Sequence, residues 1–201
     1  MVHPITEALP PPPKRFGSGE CLDIYICGVH TGDKAGALTQ GFGVVFEISD
    51  GTAIDPIAAG SNRPSTNNSR GELGALITTL EWVSLYAPQS EVRIYSIQEY
   101  IYKWASETLN NLLANRKAKN RDLLLKVSSL LPQLPRVTIA KLSRSPSPKL
   151  HEKARELANA IVRSRAWFPA AHSQEGDVVN EEYVTIDDEF WMERAISRDK
   201  F

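Results

Sequence analysis

Cysteine is scarce in this chain: Cys21 and Cys27 are the only two among 201 residues. Both fall in one stretch that reads as a strand. At about 3.3 Å per residue their spacing holds them ~20 Å apart, beyond the reach of a disulfide. Free thiols and an intracellular protein are therefore expected. An excess of one charge sign is also missing, since 23 Lys and Arg stand against 24 Asp and Glu for a net charge of −1. No global field draws such a chain to nucleic acid or to an anionic membrane, so any basic surface has to be local. There is no long apolar run and no apolar segment at the start, so neither a membrane-spanning helix nor a signal peptide is expected. Internal repeats are absent too.

What is present is the composition of an ordinary globular protein, 42% hydrophobic and 23% charged. The length suits one good-sized domain with tails, or two small ones. The chain is organised around Ser65 to Val83. Its polar start can cap a helix through Asn or Ser oxygens. Leu73, Leu76, Ile77, Leu80 and Val83 then recur at helical spacing, the stripe of a helix packed on something apolar. Gly71, Gly74 and Ala75 allow a close approach to a neighbour. Glu72 stands in the first turn beside that stripe. It has two readings: a partner for the helix dipole, or a carboxylate aimed into a site.

Three segments follow from composition: a Pro-rich tail over residues 1–19, a folded domain over 20–165 and an acidic, aromatic extension over 166–201. Pro10 to Pro13 favour extended polyproline geometry, as a linker or as a ligand for a proline-reading domain. Leu22 to Val29 and Phe42 to Ile48 read as strands. Asp50-Gly51 signals a hairpin, with Thr52 to Ala59 returning, and Pro56 places that third strand at an edge. Val92 to Ile97 is a fourth strand. Gln98 to Leu113 is a helix with Tyr100, Ile101, Trp104 and Leu112 as packing candidates, and Asp122 to Leu131 is another. Val137 to Leu142 is a fifth strand, and Leu150 to Arg163 a last helix. The order βββαβα(α)βα predicts an α/β fold, a five-stranded mixed sheet flanked by helices.

That order, with certain words at certain places, resembles the type 1 ribonuclease H family from about Leu22 to Arg163. Leu22-Asp23-Ile24-Tyr25 through Gly28 is similar to the family's first strand, and Gly41-Phe42-Gly43 to the entry of its second. Asn68-Ser69-Arg70-Gly71-Glu72-Leu73 is similar to its Asn-Asn-Arg-x-Glu-Leu helix start. Ile94 to Tyr100 resembles the fourth strand and turn, and Lys119-Asn120-Arg121-Asp122-Leu123 the start of a later helix. The resemblance implies a ribonuclease H-like fold. It also implies four carboxylates holding two Mg²⁺-like ions that activate water at an RNA phosphodiester.

Residue by residue, the carry-over keeps Glu72 alone. Cys27, Ile97 and Arg155 stand where the family has aspartates, and Ser145 where it has a loop histidine. A thiol is a poor home for Mg²⁺, an isoleucine supplies no ligand, and an arginine brings positive charge. One carboxylate cannot hold two ions ~4 Å apart. Asp23, Asp33 and Glu99 are the nearby acids available for rebuilding a site. A degenerate enzyme without a cofactor is expected, with Mg²⁺ only if such a rebuilt site exists. A further expectation is that Glu72 and Arg155 pair across the emptied site.

Three functions stay open. One is binding of an RNA/DNA hybrid or duplex RNA without cleavage, through Asn67, Asn68, Ser69 and Arg70 at the minor groove and Arg116, Lys117, Lys119 and Arg121 at phosphates. Helix capping and a solvated basic turn are the plainer readings of those two groups. A second is a protein-interaction scaffold, using the polyproline run or Asp187 to Trp191 as docking segments, with phosphorylatable serines in Ser143 to Pro148. The third is an active hybrid-cutting ribonuclease with a rebuilt site.

Overall fold

The computed structural model describes residues 12, 16–17, 19–30, 40–52, 54–61, 69–103, 109–115, 118–142, 148–163 and 192–195. The strands are β1 (Cys21–His30), β2 (Gln40–Ile48), β3 (Ile57–Ser61), β4 (Glu91–Ser96), β5 (Val137–Lys141) and β6 (Met192–Ala195). The helices are α1 (Ser69–Tyr86), α2 (Glu99–Lys103), α3 (Leu109–Ala114), α4 (Arg121–Leu130) and α5 (Lys149–Arg163). Among the described residues the sheet has six strands in the order β5-β4-β1-β2-β3-β6. β1 runs parallel to β4, and β4 to β5. The pairs β1–β2, β2–β3 and β3–β6 are antiparallel. No helix among the described residues is long and apolar enough to cross a membrane.

Strand periodicity divides the core in two. Leu22, Ile24 and Ile26 of β1 and Phe42, Val44 and Phe46 of β2 face α1, where they meet Leu73, Leu76, Leu80 and Trp82. Trp82 is fully enclosed, with Phe16, Phe46 and Tyr86 around its ring. On the other face Cys27, Val45 and Ala58 meet Ala154, Leu157, Ile161 and Val162 of α5. Two glycines permit this sandwich. A Cβ on Gly28 would lie 2.1 Å from the Glu72 backbone nitrogen, and one on Gly43 2.2 Å from the Ala154 carbonyl oxygen. Any side chain at either place would push a helix off the sheet.

Three details depart from the sequence-based expectation, while the turn and the free cysteines follow it. The Asp50-Gly51 turn forms, with Gly51 at φ 77° and the Thr52 N–H bonded to Asp50 Oδ1 at 2.8 Å. The returning strand, however, starts at Ile57 rather than Thr52. Pro56 therefore stands just outside the ladder and removes no strand donor. Nor is β3 an edge, because β6 pairs along it from Ile57 to Gly60. The helix expected over Gln98 to Leu113 is present as α2 and α3, with Trp104 outside the described residues. Cys21 and Cys27 are free, both on β1.

Candidate functional site

The close approach at Gly28 brings the first turn of α1 against the carboxyl end of β1, and this delivers Glu72. Its carboxylate is fully buried. One oxygen accepts the Gly28 N–H; the other accepts the Ser96 hydroxyl at 2.6 Å. Ser96 ends β4, and its oxygen also accepts the Gln98 N–H at 3.0 Å, which fixes the hydroxyl in place. Burial lifts the Glu72 pKa from 4.5 to about 7, while the bonds from Ser96 and Gly28 pull the other way. Tyr100, half-buried nearby, is held well above the ordinary tyrosine range, first by desolvation and then by the Glu72 charge.

The positions that the resemblance aligns with aspartates, Cys27, Ile97 and Arg155, do not bond to this carboxylate. Cys27 is buried, and desolvation, followed by the Glu72 charge, pushes its thiol far above the ordinary range; it stays a neutral thiol. Ile97 follows β4 in a bend and is half-buried. Arg155 does not reach Glu72. Its guanidinium bonds to Glu152, one turn back on α5, and its side chain is 53% exposed. The expected Glu72–Arg155 pair is thus not formed. Pairing with Glu152 leaves the guanidinium in water, whereas reaching Glu72 would bury it beside oxygens already occupied by Gly28 and Ser96.

These residues do not fit a pair of hard divalent cations. Such ions want several carboxylate and water oxygens in near-octahedral array. Here the carboxylate oxygens are taken by internal donors, and its neighbours are a neutral thiol and an alkyl chain. Among the described residues no group of three or more His, Cys, Asp or Glu could hold a metal. Asp23, one of the acids considered for a rebuilt site, faces Arg93 across the strands at 2.6 and 3.0 Å. Glu99 is exposed at the start of α2, and Asp33 lies outside the described residues.

Of the nucleic-acid candidates, Ser69 opens α1 and is half-buried, Lys119 is exposed and Arg121 is half-buried, with a 3.4 Å bond to the Leu113 carbonyl. Asn67, Asn68, Arg116 and Lys117 lie outside the described residues. Arg70 is buried and forks onto Asp122 at 2.6 and 3.3 Å, tying the start of α1 to the start of α4. Asn120, in left-handed geometry at φ 56° and ψ 32°, begins α4 beside it. Sequence reasoning missed Ser96 and Asp122. Alternation along β4 was the available signal for Ser96: Val92, Ile94 and Ser96 share the inward face.

No protein-family profile matches the chain. It is 29% identical over 114 residues to a ribonuclease H of Thermosynechococcus vestitus, covering 53% of this chain and 68% of that one. Among solved structures it is similar to RNase H1 of the halophilic archaeon Halobacterium salinarum, with a TM-score of 0.52 and 18% identity over 70% of this chain and 96% of the other. It is also similar to a foamy viral protease-reverse transcriptase in complex with an RNA/DNA hybrid. That TM-score is 0.57, with 15% identity and coverage of 75% of this chain and 21% of the viral one. At such low identities the structural likeness speaks for the fold.

Proposed function

Because the chain is a relative of ribonuclease H and has the ribonuclease H-like fold, we propose that it is a pseudoenzyme that holds an RNA/DNA hybrid or duplex RNA without cutting it. One observation carries the loss of cleavage: Glu72, the only family carboxylate kept, is sealed in the core with both oxygens accepting from Gly28 and Ser96. Retained binding is supported by kinship with a ribonuclease H and by the hybrid held in the viral structure of the same fold. In this reading Asn67, Asn68 and Ser69 face the minor groove, where 2′-hydroxyls mark RNA. Arg116, Lys117, Lys119 and Arg121 serve the phosphates. Arg70 acts as a positioning residue, since Asp122 holds its guanidinium.

Gel shifts with hybrid, duplex RNA and duplex DNA at two salt concentrations, beside a cleavage assay in Mg²⁺ and Mn²⁺, test the proposal. The expected outcome is an uncleaved, retained hybrid whose affinity falls with salt. Lys119→Ala should lower that salt slope by about one. Metal-dependent cutting abolished by Glu72→Gln would overturn it.

A further inference from the structure

The proline run before β1 is a motif that the proposed function leaves unused. It reads Leu9-Pro10-Pro11-Pro12-Pro13-Lys14-Arg15. Leu9 to Pro11 and Pro13 to Arg15 lie outside the described residues; Pro12 is described and half-buried. Immediately after the run the chain is fastened to the fold. Phe16 is buried, its ring centroid 5.8 Å from that of Trp82. The Ser90 hydroxyl donates to the Gly17 carbonyl at 3.2 Å, the Gly17 N–H to Glu20 Oε2 at 2.9 Å, and the Glu91 N–H to the Glu20 carbonyl at 3.1 Å. The run is thus tied in beside the end of α1 and the start of β4. Glu72 precedes Trp82 on α1 by roughly 15 Å along the helix axis and sits at the other end of these strands.

A polyproline helix turns once every three residues and makes no internal hydrogen bonds. In that geometry Leu9, Pro12 and Arg15 share one edge, Pro10 and Pro13 the next, and Pro11 and Lys14 the third. The first two edges together offer a partner two apolar pairs one turn apart, Leu9 with Pro10 and Pro12 with Pro13. Arg15 follows on the leucine edge one turn further. Proline fixes φ beforehand, so docking has little chain left to order. A plain spacer needs neither the leucine nor the arginine at these steps. The matching surface is a groove lined with aromatic rings, of the kind that SH3 domains present to PxxP segments. A carboxylate beside that groove would take the guanidinium through two parallel hydrogen bonds. We propose that Leu9 to Arg15 is a docking segment for an SH3-type domain with an acidic residue beside its aromatic groove, presented at the end of the fold opposite Glu72.

Calorimetric titration of the full chain with a set of purified SH3 domains tests this, with WW and EVH1 domains as a second arm. One-to-one binding by SH3 domains with an acidic groove flank is expected. Arg15→Glu should weaken it roughly tenfold or more, as should Pro10→Ala and Pro13→Ala, while Pro11→Ala on the third edge changes it by less than about twofold. All four variants should melt with the native chain, because the changes precede the buried anchor at Phe16. Binding that survives Arg15→Glu overturns the proposal. So do equal losses at Pro10 and Pro11, a preference for WW or EVH1 domains, or no binding to any SH3 domain of the set. In amide NMR spectra the bound domain should shift Gly17 and Ser90 and leave Gly28, which donates to Glu72, in place; a shift at Gly28 overturns the placement. Hybrid retention is a separate property, so a chain that binds the SH3 domain but no hybrid strikes only the proposed function.

Discussion

Neutralising Glu72 should strengthen this protein, and the strengthening should depend on pH. The carboxyl titrates near 7 in the folded chain against 4.5 when exposed, because burial penalises its charge more than Ser96 and Gly28 reward it. The folded state thus holds the proton more tightly than the unfolded one. Stability is greatest below pH 4.5, falls as pH rises through 7, and is level above that. At about 1.36 kcal/mol per pH unit of separation the loss is roughly 3 kcal/mol. Glu72→Gln keeps the shape and removes the titration. Its amide oxygen can accept one donor, and the Ser96 hydroxyl can turn to accept from the new amide nitrogen. The variant should therefore match the native chain near pH 4 and exceed it by roughly 3 kcal/mol at pH 8, or roughly 6–12 °C in melting temperature for a chain of this size. Chemical denaturation of both proteins from pH 4 to 8 measures the difference. A difference that stays flat across that range, or a glutamine variant weaker at pH 8, would refute the reasoning.

Three further outcomes follow from the packing. Gly28→Ala places a methyl 2.1 Å from the Glu72 backbone nitrogen, and should cost about 3 kcal/mol or more, read by urea denaturation. Arg155→Asp removes only an exposed pair with Glu152 and should change stability by less than ~1 kcal/mol; a much larger loss in a thermal melt would mean that Arg155 supports the buried carboxylate after all. Asp122→Ala takes the carboxylate from the buried Arg70 guanidinium and should cost roughly 2–4 kcal/mol. Adding Arg70→Met should recover part of that loss, and a double-mutant cycle reads the coupling.

Sequence by itself determined the pieces whose cause is local. Alternation marked β1, β2 and β4, the 3.6-residue stripe from Leu73 to Val83 marked α1, and Asp50-Gly51 marked the turn, because each depends on neighbours along the chain. The family words around Glu72, read in order, then placed those pieces in one sheet. Tertiary structure alone decided who touches whom. Ser96, not Arg155, meets Glu72, since a helix packed so close over Gly28 that a Cβ there would lie 2.1 Å from the Glu72 nitrogen brings the carboxylate to the end of β4. The same long-range packing gave Arg70 to Asp122, laid β6 along β3, and buried Gln40 with no hydrogen-bond partner among the described residues. Such contacts join residues far apart in sequence. Burial, which sets their energies, exists only once both faces of the sheet are covered.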